Sequence, residues 1–353
     1  MKSKSQDNKE KPPGVRSENK DFFSVPKLKT KKGLKIVLTF NYHDKEKYGY
    51  VSDEFDSKET ISLIKKAIEN VGHQVALVEA DEDFYGRVKE LKEQGKVDFV
   101  FNYAVGIYGR SRETHVPAMC EMLRIPYSAS DVLTTAICQD KARANDLLNF
   151  YGIKTPAHQI FVNPEEKLSK KLHFPLIIKY NYQGSSIGLK DNEAIANNED
   201  DLKKRIKHLL KFPQPVLVEE YIDGREFTVG FFGNFPEIHF FSLVEILPSN
   251  KQKEGNWVFN SRKQPVSNEV SIDKNLKNKI YEICSKTIKN FELKDWGRID
   301  LRVKNKEVYI LEVNNCAHLS KRSVYFEGAK TLKLTHKKLI TNMLNGSLKR
   351  FLI

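Results

Sequence analysis

Three short apolar runs, "LKIVLTF" at 34–40, "HQVALVE" at 73–79 and "VDFVFNY" at 97–103, constrain this chain more than anything else in it. Each has the length of one strand, and helical periodicity lies around them. "SKETISLIKKAIENVG" (57–72) reads as a capped helix that stops at Gly72, and "RETHVPAMCEMLRI" (112–125) as another helical stretch. Parallel neighbours need a crossover between them, so strands alternating with helices predict a parallel sheet covered on its faces. A helical connector over 139–153 follows, and Lys154-Thr155-Pro156 ends it.

Beyond the connector the texture changes. "AHQIFV", "PLIIKY" and "PVLVEEYI" read as strands around one helix, "EDDLKKRIKHLL". From Arg225 onward "EFTVGFFG", "EIHFFSLVEI", "GRIDLRV" and "EVYILEV" read as strands, with one long helix at 276–291. The expected class is α/β followed by α+β, with units at 34–138, 139–224 and 225–353. Residues 1–33 stand apart as a disordered basic tail. Met1–Lys35 carries eleven Lys and Arg against four Asp and Glu, together with Pro12-Pro13-Gly14 and no apolar periodicity.

That tail holds about half of the formal net charge of +13, so the charge is poor support for a nucleic-acid reader. No apolar run approaches the ~18 residues that span a bilayer, and no secretory signal is legible, so a cytoplasmic address is expected. Cys120, Cys138, Cys284 and Cys316 lack the paired spacing of a zinc site or a disulfide framework. Free thiols in a reducing compartment account for them.

"WGRIDLRVKNKEVYILEVNN" (296–315) carries the most chemistry. It reads as a hairpin turning at "KNK", and the period of two places Arg298 with Asp300 on one strand face and Glu312 with Asn314 on one face of the other. A suitable register joins the pairs. Two carboxylates and an amide oxygen are the hard ligands that hold Mg²⁺, with Arg298 beside them; the plainer reading is the wet face of a hairpin. "PLIIKYNYQGSSIGLK" (175–190) sets Lys179 at a strand end before a Gly-Ser turn able to aim N–H groups and hydroxyls at phosphate. In "VLVEEYIDGREFTVGFFG", Glu219, Glu220 and Glu226 beside an apolar strand read either as acceptors for a base amine and ribose hydroxyls or as partnered structural carboxylates.

Taken in order from "IPYSASDVLTTAICQDKARANDLLNFYGIKTPAH", these motifs resemble the ATP-grasp superfamily, and within it the D-alanine–D-alanine ligases, from about Leu34 onward. The resemblance implies an N-terminal pre-ATP-grasp domain and two α+β lobes that sandwich ATP. It implies an enzyme that joins a small carboxylate substrate to an amine through an acyl phosphate, using ATP and one or two Mg²⁺ ions, with Mn²⁺ able to substitute. Lys141 and Lys179 match phosphate-holding lysines, and Ser185-Ser186 match the flexible loop that covers the phosphates. Glu219, Glu220 and Ile222 match the adenine contacts, Glu226 the ribose acid and Leu311 the floor of the purine site. Asp300, Glu312 and Asn314 match magnesium ligands; Arg298 and Ser186 match catalytic positions. Lys263, in "FNSRKQP", aligns loosely with a phosphate-binding lysine.

Departures cluster on the substrate side. The Gly-Gly-x-Ser-x-Glu turn of the family is missing after the first strand, where this chain reads "NYHDKEKYGY". Val105 stands where the family has His, and His318 replaces a glycine of the oxyanion site. A rebuilt substrate pocket is therefore expected. His318 reads as a substrate ligand, a base or a structural group; Arg110 and Arg112 as carboxylate binders or surface arginines; Asp53 and Glu54 as a replacement anchor or, more plainly, a solvated loop. A non-catalytic nucleotide-binding module and a basic nucleic-acid-binding protein are the competing classes, and a homodimer is left open.

Overall fold

The computed structural model describes residues 32–184, 194–241, 243–248, 266–267 and 270–352, with the backbone alone for Tyr50. The tail through residue 31, Ser185, Ser186 and Lys263 lie outside the described residues.

The N-terminal layer runs β1 (Lys35–Phe40), α1 (Lys45–Tyr48), α2 (Lys58–Glu69), β2 (Gln74–Glu79), α3 (Phe84–Glu93), β3 (Phe99–Asn102) and α4 (His115–Leu123). Its sheet has the order β2-β1-β3, parallel throughout, as the alternation predicts. The Ser57 side chain accepts from Thr60 N, capping α2, and Ile61, Ile64, Ala67 and Ile68 are its buried face. The helical connector expected over 139–153 holds a single helix, and a second helix that the sequence did not predict comes immediately before it. α5 (Val132–Gln139) and α6 (Lys141–Phe150) meet at Asp140, which is extended (φ −93°, ψ 94°) and caps α6 by accepting from Arg143 N. The extended Asp140 makes Lys141 the first residue of a helix.

The second layer holds β4 (His158–Phe161), β5 (Leu176–Tyr180), β6 (Ile195–Ala196), α7 (Glu199–Leu209) and β7 (Val216–Glu220). The strands are antiparallel in the order β4-β7-β5-β6. Asn198 caps α7, whose first turn carries Glu199, Asp200 and Asp201 and whose last turn carries Lys207 and His208, each set complementing the helix dipole.

The third layer holds β8 (Arg225–Asn234), β9 (Glu237–Phe240), β10 (Val244–Ile246), β11 (Val266–Ser267), α8 (Lys274–Phe291), β12 (Trp296–Lys304), β13 (Glu307–Asn314), α9 (Val324–Lys330) and α10 (His336–Lys349). The sheet order is β11-β10-β8-β12-β13, with β9 also on β8. "EIHFFSLVEI" is two strands and not one. Phe231 pairs with Phe240 but Thr228 pairs with Val244, so the 237–246 side holds one residue more than β8 does, and regular pairing is interrupted there. Gly230 lies opposite this interruption; a Cβ on it would come within 2.4 Å of the Phe241 ring.

One apolar core joins the N-terminal layer to α9 and α10. Ile36, Leu38, Ile64 and Phe101 pack with Trp296, Tyr325, Ile340 and Leu344, and Phe101 stacks on Trp296 at 5.3 Å between centroids. A second core lies between α8 and the sheet, built on Ile280, Cys284, Ile288, Phe231, Ile299 and Ile310. Burying each such side chain contributes about 1.5–3 kcal/mol. The β12–β13 hairpin is therefore held from both sides. Among the described residues no helix is long and apolar enough to cross a membrane.

Candidate active site

The hairpin turns at Asn305-Lys306, both with positive φ (51° and 63°), and its register pairs Arg298 with Asn314 and Asp300 with Glu312. The two charged pairs expected from alternation thus meet. Past Asp300 the register shifts, so that Leu301 pairs with Ile310 and Leu311 is an extra residue. The bulge has a consequence for side-chain direction. Leu311 and Glu312 are both partly exposed between the buried Ile310 and Val313, whereas strict alternation would separate them.

Asp300 is buried and accepts hydrogen bonds from Thr228 Oγ1 (2.7 Å), Arg298 Nη2 (2.9 Å) and Asn314 Nδ2 (3.1 Å). Burial raises its carboxyl above the ordinary value despite Arg298, and Glu312 adds to the effect. Glu312 moves the other way. Burial alone would raise it, but Lys141, Lys179 and Arg298 outweigh that and bring it down to about 2. Lys141 Nζ lies 3.0 Å from Glu312 Oε1 and donates to Gln183 O at 2.7 Å. Lys179 Nζ lies 2.7 Å from Glu219 Oε2, and Glu219 also accepts from Asn145 Nδ2 at 2.7 Å. Lysines from α6 and β5 thus converge on carboxylates from β13 and β7.

The remaining residues singled out in the sequence divide. Glu226 is buried and pairs with Arg302 at 2.7 Å, and the same guanidinium donates to Ile222 O at 2.9 Å. Glu220 faces away from this group and pairs with His173 Nδ1 at 2.8 Å. Asp300, Glu312 and Asn314 offer only oxygen donors on one face, which fits a hard cation that keeps open positions. Among the described residues there is no group of three or more His, Cys, Asp or Glu able to hold a metal. The candidate set accordingly depends on the Asn314 amide.

Comparison with known proteins decides the family. The family described as D-ala D-ala ligase C-terminus matches residues 147–345, more than half of the chain. The chain belongs to the D-alanine–D-alanine ligase family. It is 32% identical over 297 residues to the D-alanine–D-alanine ligase of Aquifex aeolicus (strain VF5), covering 83% of this chain and 96% of that one. Its fold is that of the D-alanine–D-alanine ligase from Bacillus anthracis complexed with ATP (TM-score 0.71, 22% identity, 90% and 98% coverage). It is also that of the VanG D-Ala:D-Ser ligase from Enterococcus faecalis (TM-score 0.68, 20% identity, 90% and 100% coverage). The chain is an ATP-grasp enzyme of the ligase type, with the α/β and α+β layers that this family shares.

On the side where this member departs from the D-alanine–D-alanine ligase pattern, the structure opens a cleft of about 830 Å³ that reaches from Arg298 and Asn314 to Glu54, Asp56 and His318. The plain readings of Glu54 and of Arg112, which stands behind it, both fail. Glu54 is buried and not part of a solvated loop: it pairs with Arg112 and accepts from Gly184 N at 2.9 Å. Arg112 is buried too and also donates to Tyr182 O at 3.2 Å, so this ion pair grips the chain just before Ser185. Arg110 is exposed and pairs with Asp140 at 3.0 Å. Val105 N and Gly106 N both donate to Asn41 Oδ1. Gly106 needs its glycine, since φ is +71° and a Cβ would lie 2.2 Å from Arg112 O.

Thr228, Arg302, Asn145, Asp56, Tyr103 and Glu113 escape notice in the sequence. The signal for Thr228 lies in its pairing with Asp300 across β8 and β12, visible only once strand order is known. Glu113 lines the cleft. Burial, with Glu54 and Glu312 nearby, outweighs Arg112 and Lys141 and raises its carboxyl from 4.5 to about 7. Across that window the unfolded chain has lost this proton and the folded chain has kept it, so folding stability falls as pH rises. In metal-free and nucleotide-free protein, the melting temperature of Glu113→Gln relative to the parent is expected to climb between these two pH values and to level off above them. A flat difference would remove Glu113 from the buried group.

Proposed function

We infer that this ligase activates a carboxylate by taking the γ-phosphoryl group of ATP onto it, and passes the resulting acyl phosphate to an amine with release of phosphate. The observation that supports this most is the meeting, on one hairpin face, of Arg298, Asp300, Glu312 and Asn314 with the side chains of Lys141 and Lys179. In this reading ATP lies between the units 139–224 and 225–353. Lys141 and Lys179 leave their carboxylate partners for its phosphates, Glu219 and the backbone of Glu220 and Ile222 meet adenine, Glu226 meets ribose, and Leu311 underlies the purine.

Asp300, Glu312 and Asn314 would hold Mg²⁺, which when bound neutralises phosphate charge. Arg298 faces the developing charge of the transferring group, so catalysis is electrostatic. Ser185 and Ser186 belong to the loop that excludes water, which an acyl phosphate requires. The proposal includes Lys263 as a further phosphate ligand, a cytoplasmic setting that the free cysteines suit, and small-molecule partners. Buried Glu54, Asp56 and Arg112 fill the wall on which the sequence departs from the family. They support a rebuilt substrate pocket, so that the acid need not be D-alanine.

Incubation with Mg-ATP and pools of amino and hydroxy acids, followed by nucleotide analysis and product mass, tests the reading. ADP, phosphate and an amide-linked product are expected. AMP with pyrophosphate would reject the acyl phosphate.

A further inference from the structure

His318 stands where the family has glycine, yet it is not among the described residues with positive φ, so a side chain is carried there without backbone strain. Its Nε2 lies 3.1 Å from Asp56 Oδ2. Asp56 is buried, and the Tyr103 hydroxyl donates to the same oxygen. The Tyr103 hydroxyl oxygen, Oη, in turn accepts from Leu319 N at 2.8 Å. The imidazole of residue 318 and the backbone of residue 319 are therefore tied to one buried Asp–Tyr pair, which fixes the ring. Burial and Asp56 push the Tyr103 phenol well above its ordinary value, so it remains a donor.

Asp56 Oδ2 accepts from Tyr103, and as a carboxylate it accepts from His318 as well. Nε2 then carries the imidazole proton and Nδ1 keeps its lone pair. No described residue hydrogen-bonds to Nδ1. His318 is 41% exposed and lines the same cleft as Arg298 and Asn314. A fixed, accessible imidazole backed by a carboxylate has the arrangement of a general base.

We propose that His318 is the base that deprotonates the incoming amine, with Asp56 and Tyr103 as its positioning residues. The inference rests on the acyl-phosphate reading. The amine arrives as an ammonium ion, and Nδ1 takes one proton. The free amine then attacks the acyl carbon, forming the C–N bond as the C–O bond to phosphate breaks. The second nitrogen proton leaves with phosphate, giving the amide, hydrogen phosphate and a protonated His318.

Hydroxylamine separates this role from a structural one, because it is a nucleophile already neutral near pH 7 and needs no base. Full-length protein is given Mg-ATP, an equimolar pool of D- and L-amino acids, and hydroxylamine, and amides and hydroxamates are quantified by mass. His318→Gln is expected to lower the amide-to-hydroxamate ratio about 10²-fold, and Asp56→Asn about tenfold, with partial recovery in Asp56→Glu. Equal loss of both products in His318→Gln, or an unchanged ratio, overturns the assignment. A parent protein that forms amide but no hydroxamate overturns the acyl-phosphate reading, and this inference with it. Nitrogen-15 NMR of His318 gives a second test without turnover: the Nε2–H tautomer is expected, and a dominant Nδ1–H tautomer sinks the proposal.

Discussion

Glu312→Gln is expected to lower Mg-ATP-dependent phosphoryl transfer by more than tenfold, at least ~1.4 kcal/mol on the barrier. The substitution keeps shape and removes charge at the point where three cations converge. Lys141 touches Glu312 at 3.0 Å, and Lys141, Lys179 and Arg298 together bring its carboxyl down to about 2. A glutamine leaves those cations facing one another and offers a metal a neutral amide oxygen in place of an anion. Mg²⁺ dependence should shift to higher concentration as well as lower maximal rate, because one ligand is weakened and the electrostatics of the transfer are altered. Titration of turnover against Mg²⁺ in both proteins separates the two effects. Equal turnover at saturating Mg²⁺ would remove Glu312 from the reacting group.

This prediction was legible in the sequence only in part. Alternation along "GRIDLRV" and "EVYILEVNN" placed Arg298 with Asp300 and Glu312 with Asn314, because a strand has a fixed period of two. The bulge at Leu311 was not legible, since an extra residue has no composition of its own and is defined by the partner strand. The same limit explains "EIHFFSLVEI", whose division into β9 and β10 follows from its pairing with β8. Helices α9 and α10 add another case: they build the core that unites Phe101 with Trp296, and that union is a long-range fact.

The cleft wall was hidden for a related reason. Glu54 and Arg112 are 58 residues apart, and each alone looks like an exposed charge in a polar loop. Their burial is a property of the pair, since a buried charge is tolerated when a partner and hydrogen bonds satisfy it. Local patterning finds faces of strands and helices. It does not find ion pairs that close between layers.

Asp295→Ala is expected to cost about 3–5 kcal/mol of stability, toward the lower end because its partner Arg350 is partly exposed. Asp295 is fully buried and has a positive φ of 65°, so it sits in a left-handed turn just before β12. Its carboxylate accepts from Ala129 N at 2.8 Å, Asn234 Nδ2 at 3.0 Å, and Arg350 at 2.9 Å and 2.7 Å. Arg350 also donates to Tyr127 O and Ala129 O. One acid thus ties the segment between α4 and α5, the end of β8 and the end of the last helix to the first residue of the strand that bears Arg298 and Asp300. Alanine removes the charge, leaves Arg350 and Ala129 N short of an acceptor, and retains an unfavourable φ. Asn tolerates that φ and keeps one acceptor oxygen, so Asp295→Asn should lose less. Urea unfolding of both variants and of the Asp295→Ala/Arg350→Ala pair reads the coupling: if Arg350 is the main partner, the double loss is smaller than the sum of the single losses. Additive losses, or a cost for Asp295→Ala below about 1 kcal/mol, the scale of one ordinary hydrogen bond, would mean that this acid does not fasten the start of the β12–β13 hairpin.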